Sequence, residues 1–163
     1  MNCIEDIFFT LLRSAMWGTL PVLSRDVSDD EWNEIYAISK EQTVGGIMLD
    51  AIAKLPEKQK PDIKLRLQWI MLQKAIEGQN KKMNSALLSL VAELKQQSLQ
   101  TYLLKGQGVA QNYPTPCHRT CGDIDIFFSQ QQFEQAITYF SSKGHELEGD
   151  PDDAHSETEY MGF

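Results

Sequence analysis

The sequence has few cysteines, no basic excess and no long hydrophobic run. Its three cysteines are an odd number, and the first twelve residues contain Glu5 and Asp6 where a secretory signal has basic residues. Both features favour a reducing compartment. No apolar run approaches the roughly 18–20 residues that a membrane span requires. We therefore expect a cytoplasmic protein without a membrane partner.

The charge balance is acidic, with 15 lysines and arginines against 23 aspartates and glutamates and a formal net charge of −8. At this charge, long-range electrostatics repel a polyanion and argue against strong non-specific binding of nucleic acid. The negative net charge does not exclude a nucleotide ligand, because bound Mg²⁺ makes the local electrostatic potential positive. The hydrophobic fraction of 42% is typical of a folded globular protein.

Residues 1–97 have the periodicity of a helical N-terminal domain. Apolar residues recur at helical spacing in residues 4–16, 29–40, 47–52 and 61–94. Ser28 and Glu31 form a capping-box pair at the start of the second segment. Gly78 is the expected bend of the long fourth segment. We interpret the apolar faces of these helices as a structural core.

From residue 98 the pattern changes, which predicts a second domain at residues 98–163. Strands are predicted at 101–104 and 123–128, with a brief helical turn between them and a helix from Ser129 to Gly144. Ser129 and Gln132 form a second capping-box pair. The predicted fold class is α+β, with a helical region followed by a small mixed β-sheet and flanking helices.

The C-terminal residues predict a domain fragment. Residues 159–163 begin what reads as a further strand, and a chain that ends inside a strand leaves the edge of a sheet unfinished. We therefore expect the second domain to be truncated.

Asp123 and Asp125 are the strongest candidates for a chemical role. In a strand with a period of two, Ile124, Ile126 and Phe128 share one face and both aspartates share the other. Residues two apart in a strand are separated by about 6–7 Å, so their carboxylates can bind one divalent cation or a close pair. The alternative interpretation is a solvated acidic face on an exposed strand.

Glycines and basic residues precede the aspartate pair. Lys105 and Gly106 end a predicted strand and open a helix, a geometry that lets backbone N–H groups approach phosphate oxygens. A plain glycine turn is the alternative. Arg119 follows, and its planar fork of donors suits phosphate, although an ordinary surface arginine would have the same sequence.

This order of motifs resembles the polymerase-beta-type nucleotidyltransferase superfamily. The resemblance is carried by residues 103–128, with a hydrophobic strand, Lys-Gly, a short helix ending at Tyr113-Pro114, Arg119, and then Gly-Asp-Ile-Asp. More narrowly, the chain is similar to a bacterial, largely uncharacterised nucleotidyltransferase family. Members of that family have a Leu-Lys-Gly segment before an Arg-x-x-x-Asp-x-Asp block, and a helical region precedes their catalytic core.

The resemblance implies transfer of a nucleoside monophosphate from an NTP such as ATP to an acceptor. The acceptor could be a small molecule, a nucleic acid end or a protein. The catalytic and metal-binding residues would be Asp123 and Asp125, which would hold two Mg²⁺ ions. The nucleotide-binding residues would be Lys105, Gly106, Gln107 and Arg119. Gln107 stands where the superfamily commonly has serine or glycine.

A third carboxylate on a later strand normally completes the metal site of this superfamily. In this chain Glu157 or Glu159 could supply it, or it lies beyond Phe163. The alternative function is therefore that of a catalytically incomplete relative that binds nucleotide or a protein partner. In a third reading, the N-terminal helices form the functional interaction surface.

Two further kinds of site fit the sequence less well. Cys117, His118 and Cys121 are zinc-binding residue types, but their spacing matches no zinc or haem motif, and we interpret them as loop residues. No Gly-x-Ser-x-Gly motif is present, which argues against a serine hydrolase.

Overall fold

A computed structural model describes residues 3–144, 147–148 and 157–158 of the chain. The longer helices are α1 (Cys3–Trp17), α2 (Asp29–Glu41), α3 (Gly45–Ala53), α4 (Ile63–Gln96), α5 (Gly106–Ala110) and α6 (Gln130–Ser142). The strands are β1 (Thr101–Leu103), β2 (Ile126–Phe128), β3 (Leu147–Glu148) and β4 (Glu157–Thr158), and single 3₁₀ turns occupy Glu57–Gln59 and Pro116–His118. A mostly helical chain with short strands agrees with the predicted α+β class.

The helices of the first hundred residues confirm the periodicity argument. The Ser28 cap of α2 is present as predicted: the Glu31 side chain accepts from the Ser28 backbone N–H at 2.9 Å, and Ser28 Oγ accepts from the Glu31 N–H at 3.4 Å. Helix α4 is continuous through Gly78, so the expected bend does not divide it. No helix in the described part of the chain is both long and apolar enough to cross a membrane.

The chain folds as two compact units. Unit 1 comprises the described residues up to Lys82 together with Gly106–Asp123. Unit 2 comprises Met83–Lys105 and the described residues from Ile124 onward. These units divide the chain differently from the predicted domains 1–97 and 98–163, which stay a prediction.

The core of unit 1 is built from α1, α2, α3 and the first turns of α4. Two tryptophans, Trp32 and Trp69, lie in its centre at 1% and 0% exposure. Their rings meet edge to face with centroids 6.3 Å apart, and the Tyr36 ring packs on Trp69 at 4.9 Å. Aromatic side chains of this size contribute much of the buried apolar area of a small core.

Unit 2 has a smaller core around an antiparallel pair of strands. Strand β1 pairs with β2 in the register Thr101 to Phe128 and Leu103 to Ile126. Ile126 and Phe128 pack on a core formed by Leu90, Leu94, Leu99 and Ala136, which confirms the predicted inward face. Strands β3 and β4 are also antiparallel, so the described strands contain no parallel pair of the kind that a mixed sheet would have.

Strand β2 begins at Ile126, three residues later than predicted. Asp123 and Asp125 therefore lie in the segment that leads into the strand and not in the strand itself. The ladder is short because its partner β1 ends at Leu103. One further hydrogen bond, from the Leu104 N–H to the Asp125 carbonyl at 3.0 Å, extends the pairing as far as Asp125.

The capping box predicted at Ser129 is wrong. Ser129 is the N-cap of α6, but its side chain makes no capping hydrogen bond. The Gln132 side chain instead accepts from the Gln100 N–H and donates to the Ser98 carbonyl, both at 3.1 Å. Gln132 thus ties the start of α6 to the segment that precedes β1. The strand predicted at residues 159–163 lies outside the described residues.

Candidate functional site

The predicted site residues divide between the two units. Unit 1 contains Gly106, Gln107, Arg119 and Asp123, whereas unit 2 contains Lys105 and Asp125.

Asp125 has one carboxylate oxygen without a partner. Its Oδ2 is buried and accepts no hydrogen bond from the described residues. Its Oδ1 lies 3.8 Å from Lys105 Nζ, and the side chains of Asp125 and Lys105 are 27% and 78% exposed. A long ion pair with so exposed a lysine contributes little stability. A buried, unpaired carboxylate oxygen is costly unless a cation or a donor satisfies it.

Gly106 and Asp123 are in close backbone contact in unit 1. Gly106 has a φ of +48°, and a Cβ atom placed on it would lie 2.9 Å from the Asp123 carbonyl oxygen. Both the dihedral angle and the contact therefore favour glycine at this position. The Asp123 side chain is exposed and thus accessible to a ligand.

The Arg119 side chain is held by hydrogen bonds to neighbouring loop residues and to Gly106. Its Nη1 donates to the Gly106 carbonyl at 3.2 Å, to the Thr120 carbonyl at 3.3 Å and to Cys121 Sγ at 3.0 Å. Burial acts to lower the pKa of Arg119, but the hydrogen bond to Cys121 opposes it and the net shift of the pKa is upward. The guanidinium is therefore a fixed positive charge that links the loop to the start of α5.

The side chain of Gln107 points into the interior of unit 1. It is 4% exposed, and its Nε2 donates to Asn80 Oδ1 at 3.0 Å. Asn80, in α4, donates through Nδ2 to the carbonyls of Cys117 at 2.7 Å and Arg119 at 2.8 Å. A nucleotide could thus contact Gln107 only through its backbone.

A family model described as an uncharacterised nucleotidyltransferase matches residues 28–162 of the chain. The chain belongs to this family. The matched region includes all six predicted site residues and excludes α1. Comparison with curated proteins and with solved structures gave no match.

Sequence reasoning missed a polar cluster that this nucleotidyltransferase-family chain builds around His118. Its Nδ1 lies 2.8 Å from Asp50 Oδ1 and 3.1 Å from Gln73 Nε2, and its Nε2 lies 3.0 Å from Glu77 Oε1. Carboxylates only accept hydrogen bonds, so a ring nitrogen that carries a proton donates to the carboxylate that it faces. The cluster holds the 3₁₀ turn against α3 and α4.

One sequence signal could have revealed this polar face of α4. Gln73, Glu77 and Asn80 follow each other at intervals of four and three residues, which places them on one side of a helix. Glu77 pairs with Lys74 three residues away, but the other partners of these side chains lie 23–45 residues away in sequence. No local pattern points to such partners.

The described residues contain no group of three or more histidines, cysteines, aspartates and glutamates that could hold a metal ion. Cys117 is exposed, Cys121 is buried, and both are free thiols. Of the two candidates for a third carboxylate, Glu157 lies in β4 and Glu159 falls outside the described residues.

Unit 2 also contains a cavity of about 310 Å³, lined by Gln97, Leu99, Gln135, Thr138, Tyr139 and Ser142. Neither Lys105 nor Asp125 contributes to its lining. The predicted site residues of unit 2 therefore do not line this cavity.

Proposed function

We propose that the chain carries the metal-binding and phosphate-binding residues of a nucleotidyltransferase that moves a nucleoside monophosphate from an NTP to an acceptor. Family membership supports the general activity. The observation that carries the metal site is the buried Oδ2 of Asp125, which has no hydrogen-bond partner in the described residues. A carboxylate oxygen in this state suits a divalent cation with oxygen ligands.

Asp123 and Asp125 would together bind two Mg²⁺ ions. They are two residues apart in sequence, and the exposed carboxylate of Asp123 is accessible to a ligand. When bound, the ions would neutralise the triphosphate charge and activate the attacking oxygen. Lys105 has an exposed, flexible ammonium group near Asp125, which suits it to reach a phosphate oxygen.

The other candidates would shape the phosphate site through the backbone. Gly106 brings its backbone against that of Asp123, and Gln107 is anchored by its side chain. Arg119 would add a fixed positive charge beside the same turn.

A second function is favoured by one observation: the described carboxylates do not gather into a group of three or more. On that basis, we propose as the alternative a catalytically incomplete family member that binds nucleotide, or a protein partner, without turnover. The acceptor in the first proposal would be a small molecule, a nucleic acid end or a protein.

Calorimetric titration of the four NTPs, each with and without Mg²⁺, tests the proposal. We expect at least one NTP to bind, with an affinity that falls when EDTA removes the metal. Turnover is then measured by the release of pyrophosphate. NTP binding without pyrophosphate release would favour the alternative, and absence of NTP binding would refute the proposal.

A further inference from the structure

We infer that Asn80 is a positioning residue for the nucleotide site, although it touches neither nucleotide nor metal. The inference rests on the proposed function. Asn80 is 1% exposed on α4, and its side chain makes three hydrogen bonds within unit 1. A buried amide with complete hydrogen bonding is held in one orientation.

These three hydrogen bonds reach both segments of unit 1 that carry candidate phosphate-binding residues. Oδ1 accepts from Gln107, which directly follows Gly106. Nδ2 donates to the carbonyls of Cys117 and Arg119, which lie in the loop before Asp123. The two carbonyls can only accept, so the amide nitrogen of Asn80 faces them.

The same two segments are joined a second time by Arg119, whose Nη1 donates to the Gly106 carbonyl at 3.2 Å. Asn80 thus fixes the main chain of Arg119 while the Arg119 side chain reaches the turn at Gly106. Loss of the Asn80 donors would release the loop and displace the guanidinium. Misplacement of a binding group by about 1 Å can cost on the order of 100-fold in rate.

Asn80→Asp is the sharpest substitution, because it keeps the size and shape of the side chain. The carboxylate can still accept from Gln107 but cannot donate to the two carbonyls, which it repels. Asn80→Ser is the second variant, because it removes the repulsion and leaves room for water if N80D does not fold. Ile35→Val is the matched control, since Ile35 belongs to the hydrophobic core of unit 1 and is not a partner in the Asn80 hydrogen bonds.

Release of the loop has a readout that does not depend on nucleotide. Cys121 is buried at 6% exposure and receives a hydrogen bond from Arg119, so it should react slowly with a thiol reagent. Cys117 is exposed and serves as the internal reference. Trypsin cleaves after Arg119 and separates the two cysteines for mass spectrometry. We expect N80D to label Cys121 about tenfold faster or more, and I35V to label it at nearly the wild-type rate.

Nucleotide affinity provides the second readout, with Mg²⁺-ATP titrated into each variant by calorimetry. We expect N80D or N80S to raise the Kd roughly 10-fold to 100-fold, with little change for I35V. Because Asn80 acts through Arg119, adding N80D to Arg119→Ala should weaken binding no further than R119A alone. If Asn80 had only a structural role, the effects of N80D and R119A would be independent, and the two fold-changes in Kd would multiply in the double variant.

The inference is overturned if both Asn80 variants keep the wild-type Kd, if Cys121 labelling is unchanged, or if the N80D and R119A effects multiply. Normal NTP binding by wild type combined with any of these results leaves the proposed function intact. Absence of NTP binding by wild type overturns the proposed function and this inference together.

Discussion

The carbonyl oxygen of His118 lies against the Cα of Gly46, so closely that a Cβ atom on Gly46 would be 2.3 Å from it. Gly46 is in α3, and His118 ends the 3₁₀ turn before Arg119. The imidazole of His118 meets Asp50 of the same helix at 2.8 Å. The backbone contact and the side-chain contact between His118 and Asp50 together fix this turn to α3.

Gly46→Ala should destabilise the chain by about 1–3 kcal/mol, because the added methyl group forces backbone atoms apart. Gly78→Ala is the matched control, since a Cβ on Gly78 meets nothing within 4 Å. Gly78 is inside α4, so its substitution should stabilise the chain by about 0.5–1 kcal/mol. Urea denaturation of both variants measures the difference. If G46A left the free energy of unfolding unchanged, the close contact between Gly46 and the His118 carbonyl would not be needed for stability.

Gly106→Ala tests the contact between Gly106 and the Asp123 carbonyl. The positive φ of Gly106 alone costs a substituted residue about 1–2 kcal/mol, and the close contact adds to that. Gly122→Ala, with no atom within 4 Å of the added Cβ, should be nearly neutral. The urea midpoints of the two variants are compared. Equal midpoints would show that the positive φ and the close contact at Gly106 do not require glycine.

Ser129→Ala and Gln132→Ala test how α6 begins. An N-cap serine normally contributes about 1 kcal/mol, but the Ser129 side chain caps nothing, so S129A should be nearly neutral. Gln132→Ala should cost about 1 kcal/mol or more, because it removes two hydrogen bonds to the segment before β1. Thermal unfolding compares the stabilities of the two variants. A larger loss of stability in S129A would support the capping box that the sequence predicted.

The pKa of Glu31 is lowered from 4.5 to about 2, first by hydrogen bonding to Arg25 and then by the Ser28 N–H. Because the folded value is the lower one, ionised Glu31 stabilises the fold above pH 4.5, and this contribution is lost as the pH falls towards 2. Ser28→Ala keeps the backbone N–H and removes only the hydroxyl, which also lowers the pKa of Glu31 but ranks below Arg25, so Arg25→Ala should raise this pKa more than S28A does. Carboxyl NMR titration measures both shifts, and a larger shift in S28A would contradict this order of causes.

The sequence predicted the elements whose signals are local. Helical spacing of apolar residues gave α1, α2 and α4, and the Ser28-Glu31 pair marked the start of α2. The identical argument failed at Ser129, because Gln132 has competing partners at Ser98 and Gln100. A capping motif predicts a helix start, but tertiary contacts decide where its side chains bind.

The candidate site was only partly predictable from the sequence. The Asp-x-Asp pattern and its preceding glycines identified the segment, and the family match covers it. The start of β2 depends on where its partner β1 ends, which the aspartates do not encode. The role proposed for Asn80 could not be predicted from the sequence, because it depends on hydrogen bonds to residues 27–39 positions away.

The buried Oδ2 of Asp125 is the central observation for the metal site, so removal of this carboxylate tests the account most directly. Glu134→Gln is the charge-matched control for Asp125→Asn, because Glu134 is an exposed acidic residue of the same unit. Each variant is titrated with ATP in the presence of Mg²⁺, and folding is verified by circular dichroism.

The account predicts that Asp125→Asn weakens Mg²⁺-dependent ATP binding by about tenfold or more, since loss of one carboxylate ligand removes charge and an oxygen donor from the site. E134Q should bind like wild type. ATP binding by D125N with the wild-type affinity and the wild-type dependence on Mg²⁺ would contradict the assignment of Asp125 as a metal ligand.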